Sequence, residues 1–288
     1  MTTPLQVTWP LLLALALTVG GCASTPKSKV DVTRLLEDYY SFQSTDAIDP
    51  GITDAEGRRA QNTLVRLMAA RNDEKAGYKV GLVTEESQKK YKVSEPVWGV
   101  LFPSMLLDNQ ASVPAQFGVR PLCEADLAVR VKDDGINKAR NVLEVAEHLS
   151  YVVAFIELPD AFIATNAPVT GAMLTAANVG ARLAIVGQRM AVEPTAAFVE
   201  ALATMRVTMK DQDGNILGQG KGSDILDHPL HSVLWLNEQL KREGLELKEG
   251  DLISLGGLNM LTPRSGQTIT VVYEGLPDGP ISASVQFQ

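Results

Sequence analysis

The chain has 288 residues but only two cysteines, Cys22 and Cys123, and three histidines. So few Cys and His residues, none of them clustered, argue against a zinc site. No intrachain disulfide is available once Cys22 is modified. Basic blocks are missing as well: 26 Lys and Arg stand against 34 Asp and Glu, for a net charge of −8 and a pI near 5.0. That removes the electrostatic footprint of a nucleic-acid binder. Long apolar runs are also scarce, and the one near the N-terminus, Leu11 to Val19, is too short to span a bilayer as a permanent helix. What the chain does have is 45% hydrophobic residues, ample for a core. Without visible internal repeats, that composition suits one large domain with or without a small helical part.

The short apolar stretch has its own meaning. Small residues follow it, and Val19-Gly20-Gly21-Cys22 resembles a bacterial lipobox, in which the cysteine is lipidated and becomes the mature N-terminus. The resemblance implies a signal peptide over 1–21 and a lipidated tether over 22–30 that includes the polar run ASTPKSK. It implies a periplasmic, membrane-anchored protein, and Ser24 in place of Asp favours the outer membrane. One departure is that no Lys or Arg precedes the apolar core. A fortuitous apolar leader or a misassigned start is the alternative.

Past the tether, residues 31–75 read as helical. DVTRLLEDYYSF has helical spacing, and Thr53-Asp54-Ala55-Glu56 is a capping-box pattern that leads into a second helix. From residue 76 the character changes to short strands broken by Gly, Pro and charged turns: GYKVGLV, VWGVLF and LAVRV. Asn141 to Leu149 carries a helical stripe, and residues 204–220 read as a hairpin with Asp213-Gly214 supplying positive φ angles. HPLHSVLWLNEQLKREG is an amphipathic helix, and strands over Asp251–Leu255 and Ile281–Phe287 close the chain. The class is α+β with a largely β core.

Chemistry concentrates in two apolar runs. In PLCEADLAVRV, Glu124 and Asp126 occupy i and i+2 of a strand and so share a face. YVVAFIELPD supplies a third acid, Glu157. Carboxylates so placed repel unless a proton or cation lies between them, and a divalent, oxygen-loving cation is the economical explanation. Two exposed acids on an edge strand, with Glu157 unrelated, is the competing reading. Cys123 faces away from the acids by alternation and reads as a small buried residue. Lys79, in AGYKVGLV, reads as an outward-snorkelling lysine or as the cation of a polar pocket, where desolvation would lower its pKa toward proton transfer.

The same stretches resemble the fumarylacetoacetate hydrolase superfamily, and within it the 2-keto-4-pentenoate (2-hydroxypenta-2,4-dienoate) hydratase branch. The likeness is carried by GYKVGL, EPVWGVLFPSML, P-x-x-E-A-D-L-A, FIELPD, DHPLHSVLWLNEQLKREGLELKEGDLISLGGL and EGLPDGPISASVQF, in the family's order. It implies a mixed β-sandwich roll with a small helical N-terminal part. It implies Mg²⁺ or Mn²⁺ held by Glu124, Asp126 and Glu157, with Lys79 as the active-site lysine. The family usually has Glu where this chain has Asp126. The implied reaction adds water to a small anionic 2-hydroxydienoic or 2-oxo-enoic acid to give a 4-hydroxy-2-oxo acid. Decarboxylation of a 2-oxo-enedioate, C–C hydrolysis, or a non-catalytic lipid-anchored binding protein are the rival readings. The family is often oligomeric, which raises a homo-oligomer.

A second departure concerns Ala177-Asn178-Val179-Gly180, where the family carries an Asp-Asn-Ala-Ser type stretch. Asn178 is retained and reads as a substrate contact or as local backbone capping; the serine hydroxyl is gone. His228 reads as a helix cap and His231 as solvent-facing, while Arg264 and Ser265 read as ordinary turn residues.

Overall fold

The computed structural model describes residues 28–72, 74–164 and 166–288. The expected signal peptide, Cys22 and most of the tether lie outside the described residues. No helix among the described residues is long and apolar enough to cross a membrane.

Local chemistry starts the N-terminal helices where the sequence predicts them. Asp31 caps α1 (Val32–Tyr40) by accepting the Arg34 N–H at 3.1 Å. α2 (Asp54–Asn72) opens on a reciprocal box: the Glu56 carboxylate accepts the Thr53 N–H at 2.8 Å, and Thr53 Oγ1 accepts the Glu56 N–H at 3.3 Å. There follow β1 (Gly77–Gly81), α3 (Glu85–Tyr91), β2 (Val97–Leu101), β3 (Leu106–Asp108), β4 (Ser112–Val113), β5 (Cys123–Val131), α4 (Val142–Glu147) and β6 (Leu149–Leu158). After these come α5 (Gly171–Ala176), β7 (Leu183–Ala191), α6 (Ala196–Thr204), β8 (Arg206–Lys210), β9 (Ile216–Lys221) and α7 (His231–Arg242). The chain ends with β10 (Leu252–Ser254), β11 (Met260–Leu261), β12 (Thr268–Glu274) and β13 (Ile281–Phe287).

The strands form two curled, packed sheets, which is the mixed β-sandwich roll expected. The larger runs β2-β1-β10-β5-β6-β7-β3, with β11 also paired to β5; the smaller runs β4-β13-β12-β8-β9. The larger sheet is mixed, because β1 pairs parallel to β10 and β3 parallel to β7. β5 and β6 lie at its centre with both faces covered, which is why CEADLAVRV and VVAFIEL read as near-continuous apolar runs. The smaller sheet is tied to this centre by Tyr273 of β12, whose hydroxyl donates to the Asp126 carbonyl of β5 and, at 3.4 Å, to the Phe155 carbonyl of β6. α1 and α2 pack onto the sheets: Tyr39 Oη donates to the Ala181 carbonyl at 3.0 Å, and Gln61 Nε2 to the Trp98 carbonyl at 2.7 Å.

The hairpin of β8 and β9 departs from the expected turn. Its loop spans 211–215, and only Gly214 takes a positive φ, at 82°. Asp213 does not, because Asp211 organises the loop instead. The Asp211 carboxylate accepts the N–H groups of Asp213 at 3.0 Å and Asn215 at 2.9 Å.

Candidate active site

The antiparallel pairing of β5 and β6 places Glu124 directly opposite Glu157. Asp126 shares the Glu124 face two residues on, so the third acid does stand on the neighbouring strand. On the other side of β5 lies β10, and beyond it β1, whose Lys79 is in register with Ser254. All four side chains come from the centre of the larger sheet, where the backbone is fixed by pairing on both sides.

The contacts form one network. Lys79 Nζ lies 2.7 Å from Glu157 Oε2. Ser254 Oγ lies 2.9 Å from Glu157 Oε1 and 2.6 Å from Asp126 Oδ2. The remaining Asp126 oxygen, Oδ1, accepts the Gly256 N–H at 3.1 Å. Lys79, Asp126 and Glu157 are all buried, and Glu124 is half-buried. Beside Glu124 the chain passes so closely that a Cβ on Gly257 would lie 2.1 Å from Glu124 Oε2.

The electrostatics follow from this burial. Desolvation, with the Glu157 charge adding to it, pushes the Glu124 carboxyl up to about 7 against the pull of Lys79. Asp126 is raised well above the ordinary carboxylate range, by desolvation first and then by Glu157. For Lys79, burial taken alone lowers the pKa, as the sequence suggested. The charges of Glu157, Glu124 and Asp126 and the hydrogen bond to Glu157 outweigh it, so the ammonium is held above its usual value. The expected downward shift is therefore reversed by the carboxylates that surround the lysine.

A cavity of about 640 Å³ opens over Lys79, Glu124 and Glu157. Leu122, Leu174, Val179 and Leu258 give it apolar walls, and α3 lies across its mouth with Ser87 and Lys90. A larger hollow of about 1020 Å³ lies against Tyr78, Trp98 and Phe102, beside α2. Tyr78 alternates with Lys79 along β1, so that hollow belongs to the other face of the sheet and holds none of the acid trio.

No family model matches the sequence. The chain is 30% identical over 219 residues to the 2-keto-4-pentenoate hydratase of Paraburkholderia phymatum, covering 76% of this chain and 80% of that protein. The chain belongs to the 2-keto-4-pentenoate hydratase family. It is also 27% identical to the 4-oxalocrotonate decarboxylase of Pseudomonas putida, over 88% of this chain and 89% of that one. Among solved structures, the 4-oxalocrotonate decarboxylase from Pseudomonas putida G7, complexed with magnesium and adipate, has the same fold. It superposes with a TM-score of 0.77 at 24% identity, covering 89% of this chain and 95% of that chain.

Whether the expected divalent metal fits can be judged from the side chains themselves. Three acids face one ammonium in a buried place, two of them with raised pKa values because one cation does not compensate three carboxylates there, and every donor is a hard oxygen. Among the described residues, no three His, Cys, Asp or Glu side chains stand close enough to hold one ion as they are placed. Glu157 is drawn to Lys79, and Asp126 to Ser254 and Gly256. The donors fit a divalent cation by charge and by type.

Asn178 is placed differently from the other predicted site residues. Its side chain is buried away from the cavity lining and pairs with β2: Nδ2 donates to the Val100 carbonyl at 2.9 Å, and Oδ1 accepts the Val100 N–H at 2.8 Å. Asn178 thereby continues the sheet edge in place of a strand. It and Val179 sit at left-handed φ values of 52° and 53°, rare for a β-branched residue, and it is Val179 that reaches the cavity wall. Cys123 is fully buried and its thiol is pushed up by burial, as expected of a packing residue. His228 takes a cap-like role, with Nδ1 accepting the Leu230 N–H at 3.0 Å; His231 is exposed. Arg264 and Ser265 lie exposed in a turn.

Two features escaped the sequence reading. One is Ser254, a lone hydroxyl in the apolar run LISL. The other is the buried pair of Asp160 and Arg182, with Arg182 Nη2 2.9 Å from Asp160 Oδ2. The nearest signal for Asp160 was its place in FIELPD, three residues after Glu157.

Proposed function

We propose that this protein is a divalent-metal-dependent hydratase that adds water to a small 2-hydroxydienoic acid and yields a 4-hydroxy-2-oxo acid. The observation that carries this reading is the meeting of Lys79, Glu124 and Glu157 at one cavity, with Asp126 buried behind them and joined to Glu157 through Ser254. In this reading Glu124, Asp126 and Glu157 hold Mg²⁺ or Mn²⁺. When bound, the ion supplies positive charge opposite the substrate's carboxylate and C2 oxygen, where charge develops as the dienol ketonises. The C2 hydroxyl loses its proton, the far terminal carbon gains one, and water then adds to C4 of the resulting 2-oxo-3-enoate.

The chain's own residues supply the rest. Lys79, 2.7 Å from Glu157 and at the cavity, is placed to anchor the substrate carboxylate or to move a proton. The apolar walls exclude bulk water from the conjugated tail, and α3 borders the opening through which substrate passes.

The test follows loss of 2-hydroxypenta-2,4-dienoate absorbance with metal-stripped protein, with and without added Mg²⁺ or Mn²⁺, and identifies the product. Metal-dependent formation of 4-hydroxy-2-oxopentanoate, reduced by about 10²-fold or more in Lys79→Ala, is the expected result. Carbon dioxide release from a 2-oxo-enedioate without hydration would favour the decarboxylase reading. Metal binding without turnover of either acid would make the protein a binding descendant of the fold. We also propose that Cys22 carries a lipid that anchors the protein to the membrane facing the periplasm; the supporting feature is the lipobox-like Val19–Cys22 stretch. Labelled-palmitate incorporation that persists in Cys22→Ala would refute it.

A further inference from the structure

Ser254 ends β10, and its neighbours Leu252, Ile253 and Leu255 are buried apolar residues. Its own side chain has no exposure at all. A hydroxyl in such a place is retained only if it is fully satisfied, since an unpaired one costs more than an alanine would. Its partners come from two different strands, Asp126 Oδ2 at 2.6 Å and Glu157 Oε1 at 2.9 Å; with one proton, the hydroxyl donates to one carboxylate and accepts from the other acid when that acid is protonated. With Lys79 on Glu157 Oε2 and the Gly256 N–H on Asp126 Oδ1, each oxygen of these two acids has one fixed partner. Ser254 is the only one of these partners shared by both. Its position is fixed in turn by pairing on both sides of β10, opposite Lys79 on β1 and Ala128 on β5.

We infer that Ser254 is a positioning residue for the metal site. Its hydroxyl, within hydrogen-bond distance of both acids, sets the spacing of the Asp126 and Glu157 carboxyl groups. This rests on the reading that the three acids hold a divalent cation. Asp126, one methylene shorter than the family's usual Glu, is held on both oxygens, by Ser254 and by the Gly256 amide. Losing a group that orients metal ligands in this way typically weakens binding by about 10–100-fold.

The experiment uses the full chain, stripped of metal, and titrates it with Mn²⁺ alone, following free Mn²⁺ by electron paramagnetic resonance and binding heat by calorimetry. Wild type, Ser254→Ala, Ser254→Cys and Glu124→Gln are compared, with thermal midpoints recorded on the same samples. The expected result is a single Mn²⁺ site in wild type and an affinity about 10–100-fold weaker in Ser254→Ala. Ser254→Cys, whose thiol is a weaker donor of similar size, falls between them, and thermal midpoints stay close to wild type. Should Ser254→Ala fail to fold, the cysteine variant alone decides: wild-type affinity in it overturns the inference. Equal affinity in wild type and Ser254→Ala does the same, as does a stability loss with unchanged affinity in the folded protein. Absence of any saturable Mn²⁺ site in wild type overturns the metal reading itself, a different result from the others.

Discussion

Replacing Asp160 with Asn tests how the cavity wall is held in place. The Asp160 carboxylate is almost wholly buried, 1% exposed, and takes four roles at once. It pairs with Arg182 Nη2 at 2.9 Å, accepts the N–H groups of Arg120 at 2.9 Å and Val119 at 3.1 Å, and packs against Gly118. Arg182 in turn donates to the Tyr39 carbonyl at 3.0 Å and lies over the Tyr39 ring, so the pair joins α1 to the ends of β6 and β7. In Asp160→Asn an amide keeps the shape but offers one acceptor where two were used, and Arg182 is left as a buried, uncompensated cation. Breaking one side of such a pair costs about 3–5 kcal/mol. Against a total stability of about 5–15 kcal/mol, that is a large share. With an m-value near 3 kcal/mol/M, the urea midpoint should fall by roughly 1–1.7 M. Adding Arg182→Met should recover part of the loss, because it removes the stranded charge; the coupling should lie at about 0.5–3 kcal/mol. Equilibrium urea unfolding monitored by fluorescence and circular dichroism measures both. A midpoint for Asp160→Asn within about 0.3 M of wild type, equivalent to less than about 1 kcal/mol, would refute the reasoning.

Three further outcomes are expected. Gly257→Ala would push a methyl into Glu124 Oε2, so Mn²⁺ affinity and turnover should both drop while circular dichroism stays native; unchanged affinity would mean that Glu124 moves freely and is no ligand. Burial holds the His228 pKa below its ordinary 6.5, with His231 adding repulsion, so the imidazole is neutral in the fold. Below about pH 6.5 the unfolded chain takes up that proton first and stability falls with pH. The drop in urea midpoint between pH 7 and pH 5 should therefore be smaller in His228→Asn, and an identical drop would exclude His228 as its source. Cys123, with no exposure and a thiol raised by burial, should resist thiol reagents in a Cys22→Ser background until urea unfolds the chain. Rapid labelling of native protein would contradict its placement.

How far the site could be read in advance depended on how near in sequence its parts lie. Glu124 and Asp126 were legible because strand alternation is a local rule: two acids at i and i+2 must share a face. Lys79 and Glu157 were legible as members of stretches that keep a family's order. Ser254 was not, since its meaning lies in partners 128 and 97 residues away, and a single serine among leucines carries no local sign of them. α3 was missed for a related reason: EESQKKY buries nothing, so it lacks the apolar period that announces a helix, and only the Thr84 cap marks its start. Asn178 shows the opposite case. An asparagine between small residues suggests a turn or a substrate contact, yet its amide completes the hydrogen bonding of Val100 on an edge strand 78 residues away. That use explains why the asparagine is present where the serine beside it is not. Removing Asn178 would unpair an N–H and a C=O in the core whatever reaction the cavity performs. The missing serine hydroxyl leaves no such debt, because at Gly180 the chain bonds through its backbone alone, the Gly180 carbonyl accepting the Asp160 N–H at 2.9 Å.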